Sequence, residues 1–303
     1  MQISIIIPTY NRATIIPKTL DSIINQTYKN WECYIVDDHS TDNTKTVIDD
    51  YAHKDSRFHY LVNTRKKGAQ GARNTGLYHC NSEWVYFFDS DNQLHPDNLE
   101  ELVKSLSERI DIVQCFSQVL SIDSGERVKL FNWINHGNIH DRILFAETYT
   151  DFNQAIIRKS KLIEIGGLDE DCPCMQEWDT HIRLSQISKY NTVEKILVDY
   201  YVGADDAISS NPKRDVIGKT YILEKYIDEW QLCPRKLRRY IFYMMTLIHK
   251  LPDKQFRIHA YKRLKSFIPE WYLIRGGIMS YMLILKDYFA HLFSRNSKYL
   301  SLK

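Results

Sequence analysis

Four predominantly apolar runs, interrupted only by Ser4, Glu32 and His59, divide the first third of the chain: Ile3–Pro8, Trp31–Val36, Phe58–Val62 and Trp84–Phe88. Runs of this length without polar alternation predict strands buried on both faces. Between them the apolar positions recur at helical spacing. Ile16, Leu20, Ile23 and Ile24 mark a helix over Ile15–Asn25. Ser40-Thr41-Asp42 offers N-cap chemistry before a helix through about Tyr51. A glycine-rich turn leads into Gly71–His79, and Pro96–Leu106 is the next helix. Strands alternating with helices over short connections predict a parallel sheet covered on both faces. Ligands of such sheets bind at the carboxyl ends of the strands. Thr9-Tyr10, Asp37-Asp38 and Asp89-Ser90-Asp91 all fall at such ends.

After Ile110 the period changes. Val113–Ser121 and Arg127–Trp133, joined by "DSGE", predict a hairpin. Phe152–Arg158 reads as a strand and Gly166–Asp171 as a turn. Glu177–Lys189 reads as a helix with Trp178, Ile182, Leu184 and Ile187 on its core side, and from about residue 215 the period is helical. The expected organisation is one domain over 1–210, in halves 1–110 and 111–210, followed by a helical region over 211–303.

Charge changes the picture at the end of the chain. The formal net charge is only +2, yet Arg235–Lys303 carries 15 Lys and Arg against three acids, leaving 25 basic and 35 acidic residues before it. A basic, aromatic-rich tail on an acidic body points to an anionic surface as partner. "YKRLKSFIPEWYLIRGGIMSYMLILKDYFAHLFSR", Tyr261–Arg295, has the interleaving of a helix lying in a membrane interface. The alternative is a helical layer packed on the rest of the protein or against another copy of the chain. No nucleic-acid-binding module accompanies the charge, so nucleic acid is not expected as a partner. The six cysteines form no CxxC pair, which predicts reduced thiols rather than a disulfide framework or zinc site. No secretion signal is read before the first strand, and the longest apolar run, Ile278–Leu285, is short for a spanning helix. A cytoplasmic protein, peripheral on the inner face of the membrane, is expected.

The candidate chemistry is carboxylate and phosphate chemistry. Asp89 and Asp91 are two residues apart at a strand end. On an extended chain both side chains share one side, which suits a divalent cation such as Mg2+ or Mn2+ that draws its other ligands from water and substrate phosphates. Asp38 at the second strand end is placed to accept hydrogen bonds from a base or ribose, and the same segment also serves as a helix cap. Lys66 to Asn74 sets cations and glycines at a helix start, which favours phosphate, but it is neither a Walker A loop nor GxGxxG. Glu177 and Asp179 open a helix on different sides. Arg183, one turn beyond Asp179, is placed to hold that acid in a salt bridge, leaving Glu177 as the freer candidate general base. No HExxH, GxSxG or Cys/His nucleophile pattern is present, and His181 reads as packing rather than as a metal ligand.

Five stretches in this order, "ISIIIPTYNR", "YIVDDHSTDNT", "GAQGARNTGL", "VYFFDSDN" and "QEWDTHIRL", resemble inverting family 2 glycosyltransferases of the GT-A fold over about residues 1–210. The resemblance implies an α/β fold with a mostly parallel sheet flanked by helices and a C-terminal helical region. Its first half, 1–110, would bind nucleotide and its second, 111–210, acceptor. It also implies a nucleotide-diphosphate sugar donor, usually UDP-linked. Thr9, Tyr10 and Asn11 would line the nucleotide pocket, Asp38 would hold the base, and Arg73 would lie near the diphosphate or ribose. Arg12, Lys67, Gly71, Asp89 and Ser90 complete the implied nucleotide-sugar-binding set. Asp91 is the implied direct ligand of Mn2+ or Mg2+, with Asp89 beside it. Glu177 falls on the family's catalytic base, with Asp179 the second choice. Three positions depart from the family pattern: Glu stands where Asp is usual, Asn92 follows the aspartate pair, and "YYVGADDAIS" from Tyr200 lacks the loop histidine.

The implied reaction is a single displacement that moves a sugar to a hydroxyl of a saccharide acceptor, one carried on a lipid in surface-polysaccharide synthesis. Two rival readings remain: a catalytically degenerate domain serving as a binding or scaffolding subunit, and a sugar-1-phosphate nucleotidyltransferase. The second lacks its glycine-rich basic loop in "IPTYNRATIIPK".

Overall fold

A computed structural model describes residues 1–202, 211–269 and 272. The described residues hold nine strands in one sheet. These are β1 (Ile3–Thr9), β2 (Trp31–Asp37), β3 (Phe58–Val62), β4 (Trp84–Phe87), β5 (Gln93–Leu94), β6 (Ile112–Ser121), β7 (Arg127–Phe131), β8 (Ala155–Arg158) and β9 (Tyr190–Val202). The order is β3-β2-β1-β4-β8-β6-β9-β5, with β7 pairing β6. The expected parallel arrangement holds for β3-β2-β1-β4. Beyond β4 the sheet is mixed: β8 runs antiparallel to both β4 and β6, while β9 is parallel to β6.

All seven residues of β1 are buried, Ser4 and Thr9 included, as a central strand covered on both faces requires. Its register sets Thr9 opposite Asp37 and Ile6 opposite Phe87, so the carboxyl ends of β1, β2 and β4 lie along one edge. The helices of this half are α1 (Ile16–Ile24), α2 (Thr44–Lys54), α3 (Ala69–His79) and α4 (Asn98–Lys104). One core joins Ile3, Ile5 and Ile7 of β1 to Leu20 and Ile23 of α1, Leu99 and Leu102 of α4, and Val113 of β6. On the other face α3 lies so close to β1 that a Cβ on Gly76 would come within 2.5 Å of Ile6 Cγ2.

The second half departs from the expected elements in several places. The helix opening at Gln176 (α7, Gln176–Ser185) ends before Lys189, and the chain turns into β9, a 13-residue strand that the hydrophobic pattern did not indicate. Its register slips at Glu194-Lys195, between the pairs Cys115–Val193 and Phe116–Ile196. That bulge places two charges mid-strand and breaks the period. The expected strand over Phe152–Arg158 begins as a 3-10 turn, Phe152–Gln154, and only then becomes β8. Two short helices, α5 (His140–Leu144) and α6 (Lys159–Glu164), fill the connections.

The chain divides into two compact units: Met1–Asp171 with Gln176–Asp206, and Cys172–Met175 with Ala207–Lys303. The second contains α8 (Pro212–Lys225), α9 (Ile227–Gln231), α10 (Pro234–Lys250) and α11 (Lys254–Phe267). Helix α10 buries Leu237, Tyr240, Ile241, Met244, Met245 and Ile248 on one face and leaves Arg235, Arg238 and Arg239 exposed. No helix among the described residues is long and apolar enough to cross a membrane. Most of the expected interfacial helix over Tyr261–Arg295, and the loop after Val202, lie outside the described residues. The cysteines are unpaired, and all but Cys233 are buried.

Candidate functional site

The loops leaving β1 and β2 are laced together by short polar side chains. The Asp38 amide donates to Thr9 O at 2.8 Å. Asn11, in the left-handed region at φ 52°, donates its amide to Ser40 Oγ and accepts from the Thr41 amide, each at 2.8 Å. The Arg12 amide donates to Thr44 Oγ1 at 2.8 Å. The two acids at the end of β2 have separate duties. Asp37 is structural: it accepts from the Ser40 amide (2.9 Å), Ser40 Oγ (2.6 Å) and the Tyr60 hydroxyl (2.8 Å). Asp38 reaches across to the next strand and helix, accepting from Asn63 Nδ2 at 2.6 Å and from the Gly68 amide at 2.8 Å. Asn43 is the N-cap of α2 and makes no side-chain bond to it; Asp42, one residue earlier, accepts from the Thr44 amide at 3.0 Å.

The glycine-rich turn into α3 completes this corner. Lys67 Nζ lies 5.2 Å from the centroid of the exposed Tyr10 ring, a cation–π contact joining the third loop to the first. Gly71 has no alternative residue: a Cβ there would sit 1.8 Å from Lys66 O. Lys66 itself is turned away, its ammonium on Asp171 at 2.6 Å.

The charges of the aspartate pair are partly balanced within the chain. Strand β4 ends at Phe87 and Ser90-Asp91 is a turn, so the extended-chain expectation that both side chains share one side does not apply. Asp89 accepts from Arg73 Nη2 at 2.6 Å and from Asn153 Nδ2 at 2.8 Å. Arg73 is buried within α3, over the Phe152 ring, with its other terminal nitrogen on Gln70 Oε1 at 2.7 Å. Asp91, with 47% of its side chain exposed, has Arg12 Nη2 at 3.9 Å. Each acid therefore has its own arginine, and the β1, α3 and β4 loops are drawn together. Ser90 between them is buried.

Helix α7 supplies the fourth component. Its acids separate as their spacing predicts. Asp179 is wholly buried and bound to Arg183, whose Nη1 donates to Ile165 O and Gly167 O at 3.0 and 2.7 Å. Glu177, partly buried one position after the helix start, is pushed up to about 7 by burial and by the charge of Asp151, with Arg73 opposing and Asp89 adding to the rise. Glu177 thus shares one electrostatic cluster with Asp151, Arg73 and Asp89. His181 is buried, with Nδ1 3.0 Å from the Tyr190 hydroxyl, and burial lowers it to about 3. It is a neutral packing residue.

Sequence reasoning missed the segment that couples these parts. Asp151 caps the 3-10 turn by accepting from the Asn153 amide at 2.8 Å, and its Oδ2 accepts from the Tyr149 hydroxyl at 3.1 Å. Asn153 grips Asp89 twice: its Oδ1 accepts from the Asp89 amide at 2.7 Å while its Nδ2 donates to the carboxylate. The Asp-x-Asn spacing was the available signal, a local side-chain-to-backbone turn.

Asp89 and Asp91 present hard oxygen donors suited to Mg2+ or Mn2+. Among the described residues no group of three His, Cys, Asp or Glu side chains converges. The donor set thus fits an ion that completes its shell from water and a bound phosphate rather than a closed protein cage. Buried polar atoms without partners at the same edge, Thr9 Oγ1 and Arg73 Nε, fit a polar ligand there.

The family model of "Glycosyl transferase family 2" matches residues 4–166. An Escherichia coli protein, UDP-Glc:alpha-D-GlcNAc-diphosphoundecaprenol beta-1,3-glucosyltransferase WfgD, is 41% identical over 98 residues, 32% of this chain and 38% of that protein. Across four such curated relatives the chain spans 15–42% of their own lengths. Among solved structures, S. aureus TarS 1–349 in complex with UDP-GlcNAc superimposes with a TM-score of 0.72 at 19% identity, covering 96% of this chain and 92% of that one. The mannosyltransferase PcManGT from Pyrobaculum calidifontis, in complex with GDP-Man and Mn2+, gives 0.63 at 18% identity, covering 99% and 83%.

Proposed function

The chain belongs to glycosyl transferase family 2 and has the GT-A fold, and from that premise we propose that it transfers a sugar, with inversion, from a UDP-linked donor to a hydroxyl of a lipid-linked saccharide acceptor. The observation that carries the reading is the cluster of Glu177 with Arg73, Asp89 and Asp151 at the strand ends. It sets a carboxylate of raised basicity beside a phosphate-attracting edge. A general base works best with a pKa near the operating pH, and Glu177 meets that condition.

In this reading the nucleotide lies over the carboxyl ends of β1 and β2, within reach of Thr9, Tyr10, Asn11, Arg12 and Asp38. Lys67 and the amides of the turn before α3, kept close by Gly71, face the diphosphate. Asp91, seconded by Asp89, would hold the divalent cation, which supplies charge neutralisation for the departing diphosphate when bound, with Ser90 beside the nucleotide sugar. Arg73 and Asn153 fix the rotamer of Asp89. Glu177 accepts the proton of the acceptor hydroxyl as that oxygen forms its bond to the anomeric carbon and the bond to the diphosphate breaks. Attack from the opposite face converts an α-linked donor into a β-linked product. Asp179, held by Arg183, keeps α7 in place.

The acceptor class is suggested by WfgD, whose name specifies a diphosphoundecaprenol-linked substrate. Residues 235–269 carry ten Lys and Arg against one Asp. The exposed Arg235, Arg238 and Arg239 of α10 give the second unit a cationic face for an anionic membrane surface on the cytoplasmic side. The test is a nucleotide-sugar panel assayed for nucleotide release with Mn2+, followed by the anomeric configuration of the product. Release from a UDP-sugar and a β-linked product are expected. Release from no donor, or retention of configuration, would refute the assignment.

A further inference from the structure

Three aromatic rings from three separate segments meet around Phe131. Phe131 closes β7, Tyr149 precedes the 3-10 turn, and Tyr200 lies near the end of β9. Ring centroids are 6.5 Å apart for Phe131–Tyr149 and 6.1 Å for Phe131–Tyr200. All three are partly exposed, unlike the buried rings of Phe87, Phe88 and Phe152 in the interior. Lys129 Nζ stands 4.3 Å from the Phe131 centroid.

The hydroxyls of the two tyrosines meet the charged cluster at Asp151. The Tyr149 hydroxyl donates to Asp151. Its ionisation is held well up by burial, by Asp151 and by Glu177, which brings it within the field of the base. Tyr200 is likewise held up by burial, by Asp151 and Tyr149, with Asp89 contributing. One hand of Asp151 therefore fixes a ring and the other fixes Asn153, which in turn holds Asp89.

We infer that Phe131, Tyr149 and Tyr200, braced by Asp151, are the seat of the acceptor's sugar ring. A pyranose has an apolar C–H face and a rim of hydroxyls. An aromatic wall with carboxylates at one edge complements both, and it is the arrangement of a site in which a few polar groups fix orientation over an apolar surface. A ring seated there presents a rim hydroxyl toward Glu177. Asp151 is a positioning residue, because its oxygens are engaged by Tyr149 and Asn153. The inference rests on the transferase reading and extends it to the residues that select the acceptor.

The test uses the full chain, UDP-glucose with Mn2+, and α-linked GlcNAc and GalNAc diphosphates carried on an undecyl chain. Acceptor binding is read by saturation-transfer NMR and steady-state kinetics, donor binding by calorimetry with UDP. Phe131→Leu and Tyr200→Leu keep apolar volume but remove the ring face. Each is expected to raise the acceptor's KM or Kd about tenfold, while the Kd of UDP shifts less than twofold and Phe131→Tyr restores acceptor binding. Asp151→Asn is expected to raise the acceptor's KM and also to displace the pH profile of kcat. Parallel losses in donor and acceptor binding, unchanged acceptor binding, or no glycoside bound by the native chain would overturn the inference. A native chain that binds no UDP would overturn the transferase reading itself.

Discussion

Glu177→Gln separates the service of this side chain to catalysis from its cost to folding. Glu177 moves from the ordinary 4.5 to about 7 because burial and the neighbouring Asp151 disfavour its charged form. The raised value means that the stabilising contribution is fully present below the unfolded pKa of about 4.5 and is lost as pH rises through about 7. At about 1.4 kcal/mol per pH unit, holding the carboxylate ionised at pH 8 costs the native state about 3 kcal/mol. Glutamine has nearly the same shape and no charge. Glu177→Gln is therefore expected to be about 3 kcal/mol more stable than the native chain at pH 8, but only about 1 kcal/mol more stable at pH 5. At roughly 2 °C per kcal/mol for a chain of this size, the melting temperature should rise by about 6 °C at pH 8 and far less at pH 5. Transfer should fall by about 10²–10⁴-fold, while UDP still binds. Thermal unfolding at the two pH values, with nucleotide-release kinetics on the same preparations, provides the assay. Native turnover in the variant, or a stability difference independent of pH, would refute the reasoning.

Three further outcomes are expected. Arg73→Gln leaves Asp89 without its 2.6 Å partner and should lower stability by about 2–3 kcal/mol, measured by urea unfolding, with a weaker UDP affinity in calorimetry. Gly71→Ala forces the Lys66 carbonyl away from a Cβ built 1.8 Å from it, so the turn before α3 must shift, and UDP affinity should drop about tenfold or more while the far-UV spectrum is retained. In flotation with phosphatidylglycerol vesicles the full chain should rise with the lipid at low salt and release at high salt, and Arg235, Arg238 and Arg239 changed together to Gln should weaken it; flotation equal to native in that variant would remove the membrane role from α10.

The first half of the fold was legible because β1, β2 and β4 are buried on both faces, and a run such as Ile3–Pro8 has one structural solution. Asp179 and Glu177 could be told apart by helical spacing alone, since Arg183 lies one turn from only one of them, and that ion pair is present. What lies beyond β4 was less legible. Strand β9 alternates imperfectly because a bulge inserts Glu194 and Lys195, so no period of two survives. The partners of the aspartate pair were hidden for a different reason: Asn153 and Asp151 approach Asp89 from a segment more than sixty residues away, by tertiary packing. Sequence spacing also misjudged the pair itself. The strand stops at Phe87, and Asp89 and Asp91 turn to different arginines.

The central claim is that the carboxylates at the end of β4 hold a metal for a nucleotide diphosphate. Calorimetric titration of UDP into the native chain and Asp91→Ala, each with Mn2+ and with EDTA, addresses it most directly. Tight binding to the native chain with Mn2+, weakened at least tenfold by EDTA and by the substitution while the variant keeps its melting temperature, is the predicted result. Equal UDP affinity under all four conditions would contradict it.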